Sequence, residues 1–362
     1  MVSWSSAKRT RVVAAMSGGV DSAVAAGLLA HGGYDVVGVT MKMYEPTRPA
    51  YAKSCCGIDD FDDARASAAA LGVPHYVLDF TQAFRRGVID RFASEYARGR
   101  TPNPCVSCNN TVKLGTLVRY ARQLGASFVA TGHYARVEHR DDGPHLFRSP
   151  TEKDQAYALA QLAPSQLSTL LLPLGAFDKT ATREHARRLG LPVYDKRESQ
   201  DICFVEGGDY RDVLAQLHGD GDRSGAFVDV RGEHVGSHGG VAQYTIGQRA
   251  NIPGSDGPRY VTRIDAQTGR ITVGREEDLL SRSLVADELN LIRPERFAHA
   301  AAPVRAMIRY RAQPVAARAT VGGGTLDLRF DVPVRAIAPG QLVALLDPVT
   351  DEVLGSATIA TT

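Results

Sequence analysis

The feature that most constrains the fold is a glycine-rich turn between an apolar run and a helical pattern near the start of the chain. The stretch SGGVDS at residues 17–22 directly follows the apolar run at residues 12–14. Its glycines let backbone N–H groups approach an anion closely, and a helix predicted to start near Ser22 directs its positive end to the same place. Ser17 and Ser22 add hydroxyl donors for the anion, and Asp21 is a candidate ligand for Mg²⁺ that bridges phosphates. The stretch predicts a phosphate site, and the alternative is a glycine turn with a serine N-cap.

The predicted phosphate site matches neither of the two common nucleotide-binding loops. No lysine follows the second glycine, which excludes a Walker-type loop, and the G-x-G-x-x-G pattern of dinucleotide-binding folds is absent.

Strand and helix patterns alternate over residues 11–132, which predicts an α/β fold with a doubly wound parallel sheet. In such sheets, ligands bind beyond the carboxyl ends of the strands. The glycine-rich stretch, Met41, the cysteine-containing loop predicted at residues 100–110 and the tripeptide at residues 131–133 all fall at strand ends or in neighbouring loops. We therefore expect them to share one cleft.

The pattern changes along the 362 residues, which are too many for one ordinary core. A catalytic α/β domain is predicted at residues 1–210 and a small central domain at residues 211–283. Short strands at regular spacing then predict a C-terminal β-barrel at residues 284–362.

Composition limits the class of protein. The net charge is only +2, but basic residues cluster at 85–122, 179–197 and 305–318, which suits phosphate contacts. No run reaches the roughly 18 apolar residues that span a membrane, and no signal peptide is apparent, so we expect a cytoplasmic protein without membrane partners. An odd number of cysteines argues for reduced, chemically used thiols: Cys55, Cys56, Cys105, Cys108 and Cys203.

Several stretches together carry a family resemblance. SGGVDS resembles the PP-loop of ATP pyrophosphatases, whose fold is of the adenine nucleotide alpha hydrolase type and which adenylate a carbonyl oxygen. With the other motifs, nearly the whole chain resembles the tRNA-specific 2-thiouridylases; these motifs are TPNPCVSCN (101–109), ATGHYAR (130–136), KDQAY (153–157), ESQDICF (198–204) and YTIGQR (244–249).

The resemblance implies an ATP-dependent sulfurtransferase acting on tRNAs of the Lys, Glu and Gln type. ATP adenylates O2 of the wobble uridine, pyrophosphate leaves, and sulfur replaces the activated oxygen to give 2-thiouridine and AMP. Cys108 is implied as the nucleophile and Cys203 as the persulfide carrier, with a disulfide between them after transfer. A cysteine desulfurase or relay protein is implied as the sulfur donor, and a monomer is expected.

The resemblance also assigns contacts. ATP is implied to bind Ala15, Met16, Ser17, Gly18, Gly19, Val20, Asp21, Ser22, Met41 and Gly132. The target base is implied to contact Asn103, Pro104 and Cys105. Further tRNA contacts are implied for the central domain at residues 211–283 and for His133, Lys153, Asp154, Gln155, Arg309, Tyr310 and Gln341. The Arg-Tyr-Arg sequence at residues 309–311 also suits stacking and phosphate binding in its own right, and we predict that it lies on a strand.

One departure from the family leaves an alternative open. Many members carry Asp where this chain has Cys105. Together with Cys108 and Cys203 it forms a set that could hold a [4Fe–4S] cluster with one iron open to sulfide, or less usefully zinc. Cys55 and Cys56 receive no role. A PP-loop enzyme acting on a small molecule and an RNA-binding protein without activity are the competing functions.

Overall fold

The structure is a computed structural model that describes residues 9–45, 58–197, 202–205, 209–218, 224–298 and 301–361. It divides into two compact units. The first comprises residues 1–85 and 108–207, and the second comprises residues 86–107 and 208–362. Residues 86–107 thus interrupt the first unit in sequence. The division into three domains stays a prediction.

The first unit contains the predicted parallel sheet. Its strands are β1 (Arg11–Ala15), β2 (Asp35–Lys42), β3 (His75–Asp79), β4 (Phe128–Ala130) and β7 (Leu170–Leu171). Between β4 and β7 the chain forms a separate antiparallel hairpin of β5 (Ala135–Arg140) and β6 (Gly143–Arg148). The sheet order is β3-β2-β1-β4-β7, and every neighbouring pair is parallel. The doubly wound fold predicted from the alternating pattern is confirmed.

Helices occur in both units. They are α1 (Val20–His31), α2 (Ile58–Ala70), α3 (Thr81–Phe84), α4 (Asp90–Ala97), α5 (Pro104–Ser107), α6 (Leu117–Gln123), α7 (Ala156–Leu159), α8 (Pro164–Leu167), α9 (Lys179–Arg188) and α10 (Tyr210–His218), with π-helical segments at Arg85–Ile89 and Cys108–Thr116. Helix α1 is buried along most of its length, which its small side chains permit.

The sheet order creates a switch point between β1 and β4. The chain moves from β1 outward to β2 and β3, and then returns to add β4 on the other side of β1. The glycine-rich stretch follows β1, and residues 131–133 follow β4. Ligands of open α/β sheets bind in the crevice at such a point.

Two local predictions need correction. Helix α1 begins at Val20, not near Ser22, and Gly19 is its N-cap. Residues 104–110, expected in a loop, are helical. The reason is local, because the side-chain oxygen of Asn103 accepts hydrogen bonds from the N–H groups of Cys105 (3.1 Å) and Val106 (3.3 Å), with proline at the first helical position.

The second unit carries two sheets besides α4, α5 and α10. The central sheet contains β8 (Gly225–Val228), β9 (His234–His238), β10 (Arg249–Ala250), β11 (Arg259–Asp265) and β12 (Arg270–Gly274), in the order β10-β11-β12-β8-β9. Its own small core is built around Phe227, Val261 and Ile271.

The predicted C-terminal barrel is confirmed. Its strands are β13 (Leu280–Leu291), β14 (Ala302–Met307), β15 (Val315–Gly322), β16 (Thr325–Arg335), β17 (Leu342–Leu346) and β18 (Glu352–Thr361). The order β13-β16-β15-β14-β17-β18 closes through pairing of β13 with β18. Alternate residues such as Leu326, Leu328 and Phe330 fill the interior.

Across the described ranges, no helix combines the length and the apolar character needed to cross a bilayer.

The two adjacent glycines of the first unit differ in what they tolerate. Gly18 has φ +73°, and a Cβ there would overlap the backbone oxygen of Asp60 and lie 2.8 Å from its Cα. Gly19 has φ −95°, and its nearest neighbour would be the Ser17 Oγ at 3.5 Å. The first position therefore requires glycine, and the second does not.

We expect Gly18→Ala to destabilise the protein by about 2 kcal/mol or more, because it combines left-handed backbone with overlap against another backbone segment. Gly19→Ala should change stability by less than about 1 kcal/mol. Denaturant unfolding of both variants checks this. Equal losses of unfolding free energy in the two variants would contradict it.

Candidate active site

The glycine-rich stretch is held by its own serine. The buried Ser22 Oγ donates to the backbone oxygen of Gly19 (3.0 Å) and accepts from the N–H of Ser17 (3.1 Å). Ser22 therefore fixes the turn from inside, while the exposed Ser17 side chain is the hydroxyl that a phosphate can reach. The N-terminus of α1, a helix of 12 residues, opens at the same turn.

The turn after β4 packs directly against the first turn of α1. A Cβ on Gly132 would lie 2.7 Å from both the carbonyl carbon of Asp21 and the nitrogen of Ser22. The two loops at the switch point are thus in backbone contact. The other residues implied in ATP binding nearby, Ala15, Met16 and Met41, are buried at the ends of β1 and β2.

Two residues that the sequence analysis did not assign complete this site. Lys179, the first residue of α9, donates to Asp21 Oδ1 at 2.7 Å. The buried Tyr134 hydroxyl lies 2.7 Å from the same oxygen. Tyr134 lies in the motif ATGHYAR, which is a local signal for it. Lys179 lies 158 residues from its partner Asp21, so no local sequence pattern indicates this contact.

The acidic residue of the turn fits a magnesium ion. Both contacts to Asp21 fall on Oδ1, and Oδ2 accepts no hydrogen bond from any residue in the described part of the chain. A half-buried carboxylate oxygen beside a helix N-terminus is a suitable ligand for Mg²⁺ that also contacts phosphate oxygens.

Much of the basic cluster at residues 179–197 is neutralised within the first unit. Besides Lys179, the Lys196 ammonium lies 2.6 Å from Asp60 Oδ1 and 2.5 Å from Asp63 Oδ2, both in the first turns of α2. The expectation that this cluster contacts phosphates stays a prediction. The contact with Asp60 instead stabilises the segment on which Gly18 packs.

Two consecutive residues after β2 contact both cysteines implied in sulfur transfer. The buried Cys108 thiol lies 3.8 Å from the Met43 sulfur, and the Tyr44 hydroxyl donates to the backbone oxygen of Cys203. Phe204 packs edge-on against Phe84, which also stacks on Tyr44. Cys108 and Cys203 thus both lie next to the carboxyl end of β2, the strand beside β1.

The segment that begins at Cys108 is anchored by side chains. The buried Asn109 amide donates to the Ala158 backbone oxygen at 3.0 Å. The Gln166 amide donates to the backbone oxygens of Asn110 (2.8 Å) and Leu114 (2.9 Å). Both residues belong to the π-helical segment, whose backbone hydrogen bonds are spaced differently from those of an α-helix. Such segments are frequent at functional sites.

The predicted tRNA-contact turn at residues 153–155 is held by internal hydrogen bonds. Asp154 accepts from Arg148 Nε and from the N–H of Ser149, both at 2.8 Å. The Gln155 side-chain oxygen accepts from the N–H of Tyr134 at 2.9 Å, and the Gln155 N–H donates to the Tyr134 oxygen at 2.8 Å. Two of the three residues therefore shape this turn.

His133 is a neutral side chain at working pH. Burial, and secondarily the positive charge of Lys113, lower the pKa of His133 to about 3. Its Nδ1 lies 2.8 Å from the Thr131 hydroxyl. The ring can therefore form hydrogen bonds or stack, but it does not offer a positive charge.

The second unit contains the residues implied in contacting the target base. Asn103 caps α5, Pro104 is buried and Cys105 is exposed. The preceding Thr101 is fixed to the barrel, because its N–H donates to the Pro339 oxygen (2.7 Å) and its own oxygen accepts from Gln341 Nε2 (2.8 Å). Gln341, implied in tRNA contact, thus holds the segment that leads into α5.

Arg309 and Tyr310 lie in a turn, so their predicted placement on a strand is wrong. The turn connects β14 to β15; Arg311 has φ +61°, and the N–H of Ala312 donates to the Arg309 oxygen at 3.1 Å. Such backbone cannot continue a strand. All three residues of the Arg-Tyr-Arg sequence are exposed, and the Arg311 guanidinium lies 5.3 Å from the centre of the Tyr310 ring.

The described residues do not fit an iron–sulfur cluster or zinc. Among them, no group of three or more His, Cys, Asp or Glu side chains is gathered to hold a metal ion, and Cys105 is exposed whereas Cys108 is buried. Cys55 and Cys56 lie outside the described residues.

Family models match nearly the whole chain. The tRNA methyl transferase HUP domain matches residues 10–207, the tRNA methyl transferase PRC-barrel domain matches residues 211–275, and the aminomethyltransferase beta-barrel domain matches residues 281–359.

Curated relatives match at similar length. The tRNA-specific 2-thiouridylase MnmA of Carboxydothermus hydrogenoformans is 44% identical over 363 residues, which cover 97% of this chain and 98% of the relative. The protein of that name from Methylorubrum extorquens is 44% identical over 361 residues, which cover 97% and 93%. The one from Geobacter metallireducens is 43% identical over 360 residues, which cover 97% of each chain. With this identity over almost its entire length, the chain belongs to the tRNA-specific 2-thiouridylase family.

Proposed function

We propose that the protein is a tRNA 2-thiouridylase that adenylates O2 of the wobble uridine and then replaces this oxygen with sulfur. One observation carries the proposal. A single unit holds an anion-binding turn with its carboxylate and lysine after β1, and two cysteines next to the end of the adjacent strand β2. Activation by ATP and attack by sulfur require these two sets of groups.

The first step is nucleotidyl transfer. O2 of the uracil attacks the α-phosphorus of ATP, the α–β bridging bond breaks, and pyrophosphate leaves. The N-terminus of α1 and the Lys179 ammonium supply positive charge for the departing phosphates. Asp21 would hold Mg²⁺, which when bound neutralises phosphate charge. The result is a uridine whose poor leaving group has become AMP.

The second step transfers sulfur. The terminal sulfur of a persulfide on Cys203 attacks C2 of the base, and AMP leaves with the former O2. The Cys108 thiolate then attacks the Cys203 sulfur, so that the bond to the transferred sulfur breaks and 2-thiouridine is released. A disulfide between Cys108 and Cys203 remains, which an external thiol must reduce. A cysteine desulfurase or relay protein supplies the persulfide.

The version of this reaction that uses an iron–sulfur cluster requires Cys105 as well. The exposed position of Cys105 supports the persulfide route, in which this residue lies beside the target base and does not hold the sulfur that is transferred. The tRNA must contact the base-binding residues and the Arg309 turn of the second unit as well as the 153–155 turn. A monomeric state and a cytoplasmic location remain part of the proposal.

We expect incubation of the protein with ATP, Mg²⁺, a cysteine desulfurase and unmodified tRNA to yield 2-thiouridine. Cys108→Ser and Cys203→Ser should each lower the yield by at least about 100-fold, because hydroxyls cannot replace thiolates in these steps. Cys105→Ser is the matched control and should keep most of the activity. Nucleoside analysis by mass spectrometry measures the product.

The three serine variants also separate the two sulfur routes. Equal loss in all three, with iron and sulfide in anaerobically purified protein, would contradict the persulfide route. Pyrophosphate release that depends on a small metabolite instead of tRNA would favour the competing assignment to a small-molecule ATP pyrophosphatase.

We expect Arg309→Ala to weaken tRNA binding and to reduce the slope of log affinity against log salt by about one, because one exposed guanidinium contacts one phosphate. Arg65→Ala, which removes an exposed arginine of α2 in the first unit, is the control and should leave the slope unchanged. Filter binding at several salt concentrations measures both. An unchanged slope in Arg309→Ala would count against this contact.

We expect His133→Gln to weaken tRNA binding by the same factor at pH 6 and at pH 8. The pKa of His133 is about 3, far below its ordinary 6.5, so the ring is uncharged at both values. Affinity measurements at the two pH values provide the test. A loss that grows on acidification to pH 6 would show that a protonated ring pairs with phosphate.

A further inference from the structure

The Tyr134 hydroxyl lies where three elements of the first unit meet. It is 2.7 Å from Asp21 Oδ1 in the first turn of α1 and 3.0 Å from the Thr182 Oγ1 in α9. The ring is buried in the core beneath the switch point, together with residues of β1 and α1. A buried phenol with this placement constrains the carboxylate that it contacts.

The number of available protons determines the direction of these hydrogen bonds. Each hydroxyl has one proton, and the carboxylate of Asp21 is a stronger acceptor than a neutral oxygen. Tyr134 therefore donates to Asp21. The Thr182 hydroxyl donates its own proton to the Asp178 backbone oxygen at 2.9 Å, so it can only accept from Tyr134 and competes with Asp21 as the weaker acceptor. Asp21 Oδ1 is thus fixed by a neutral donor and a charged one.

The backbone of Tyr134 is also held by hydrogen bonds. Gln155 accepts from its N–H through Oε1 and donates to its oxygen through its own N–H. Gln155 Nε2 donates to no other residue in the described ranges. One end of this amide therefore holds Tyr134, and the other end remains for a nucleic-acid acceptor.

We propose that Tyr134 is a positioning residue that orients Asp21 for the triphosphate and ties this orientation to the 153–155 turn through Gln155. This inference rests on the proposed function for the identity of the nucleic acid, because that function makes the turn a tRNA contact. The part of the inference that concerns Asp21 needs only a bound triphosphate and does not depend on the identity of the nucleic acid. Tyr134 does not contact the reacting atoms and acts through Asp21.

The test uses the full chain and binding of Mg²⁺·α,β-methylene-ATP, which cannot be cleaved between its α and β phosphates. We expect Tyr134→Phe to weaken this binding about tenfold, the usual effect of losing a hydrogen bond to a charged group. In an Asp21→Ala background the same substitution should change the affinity by less than about twofold, because nothing remains to orient. A purely structural role of the hydroxyl would give the same factor in both backgrounds.

Tyr96→Phe is the matched control. Tyr96 is a buried tyrosine of the second unit whose hydroxyl also bonds to side chains, those of Thr245 and Tyr210. This variant should bind the analogue as the wild type does. Unchanged analogue affinity in Tyr134→Phe, or a loss equal to that in Tyr96→Phe, overturns the proposal. Thermal unfolding of each variant verifies that the compared proteins are folded.

Two variants of Gln155 test the connection to the turn. Gln155→Glu keeps an acceptor for the Tyr134 N–H, so it should weaken tRNA binding but leave analogue affinity within about twofold. Gln155→Leu removes both functions and should weaken both by about fivefold or more. Equal analogue affinity in these two variants overturns the connection. If the wild type releases no pyrophosphate with tRNA, the proposed function fails, and the analogue measurements still decide the role of Tyr134.

Discussion

The hydrogen bonds to Asp21 Oδ1 are the interaction on which the candidate site depends. They join the first turn of α1 to the start of α9 through Lys179 and to the loop between β4 and β5 through Tyr134. A carboxylate withdrawn from water requires partners of this kind. Because both partners bind one oxygen, the other keeps the capacity to bind a metal ion. Electrostatic catalysis requires charged groups in fixed positions, and these hydrogen bonds hold the carboxylate in this way.

The position of the cysteines follows from the same sheet. β2 lies beside β1, and the residues that leave β2 contact Cys108 through Met43 and Cys203 through Tyr44. In the proposed function, sulfur transfer and nucleotide binding would therefore occur at neighbouring strand ends. The π-helix that starts at Cys108 is held in place by Asn109 and Gln166, which would support Cys108 as the nucleophile of the proposed function.

Several residues that contact tRNA in the proposed function also form hydrogen bonds that hold the local structure. Asp154 and Gln155 form the turn that carries them, Asn103 caps α5, and Gln341 holds Thr101. Substitution of such residues changes binding and local structure together. In the proposed function the Gln155 amide serves both purposes, because its oxygen accepts from Tyr134 while its Nε2 donates to no residue in the described part of the chain.

The sequence by itself determined the parallel sheet, the barrel and the glycine turn, because these depend on hydrophobic periodicity and on backbone preferences within a few residues. The helix at Pro104 also had a local signal in its Asn-Pro start, which the cysteine spacing obscured. Only the tertiary structure decided that Lys179 pairs with Asp21, 158 residues away, and that Gln341 holds Thr101 across 240 residues. The tertiary structure also placed Arg309 in a turn, where the sequence had predicted a strand. The contacts of Lys179 and Gln341 arise from the packing of elements that are distant in the chain, for which a single sequence carries no periodic or local signal.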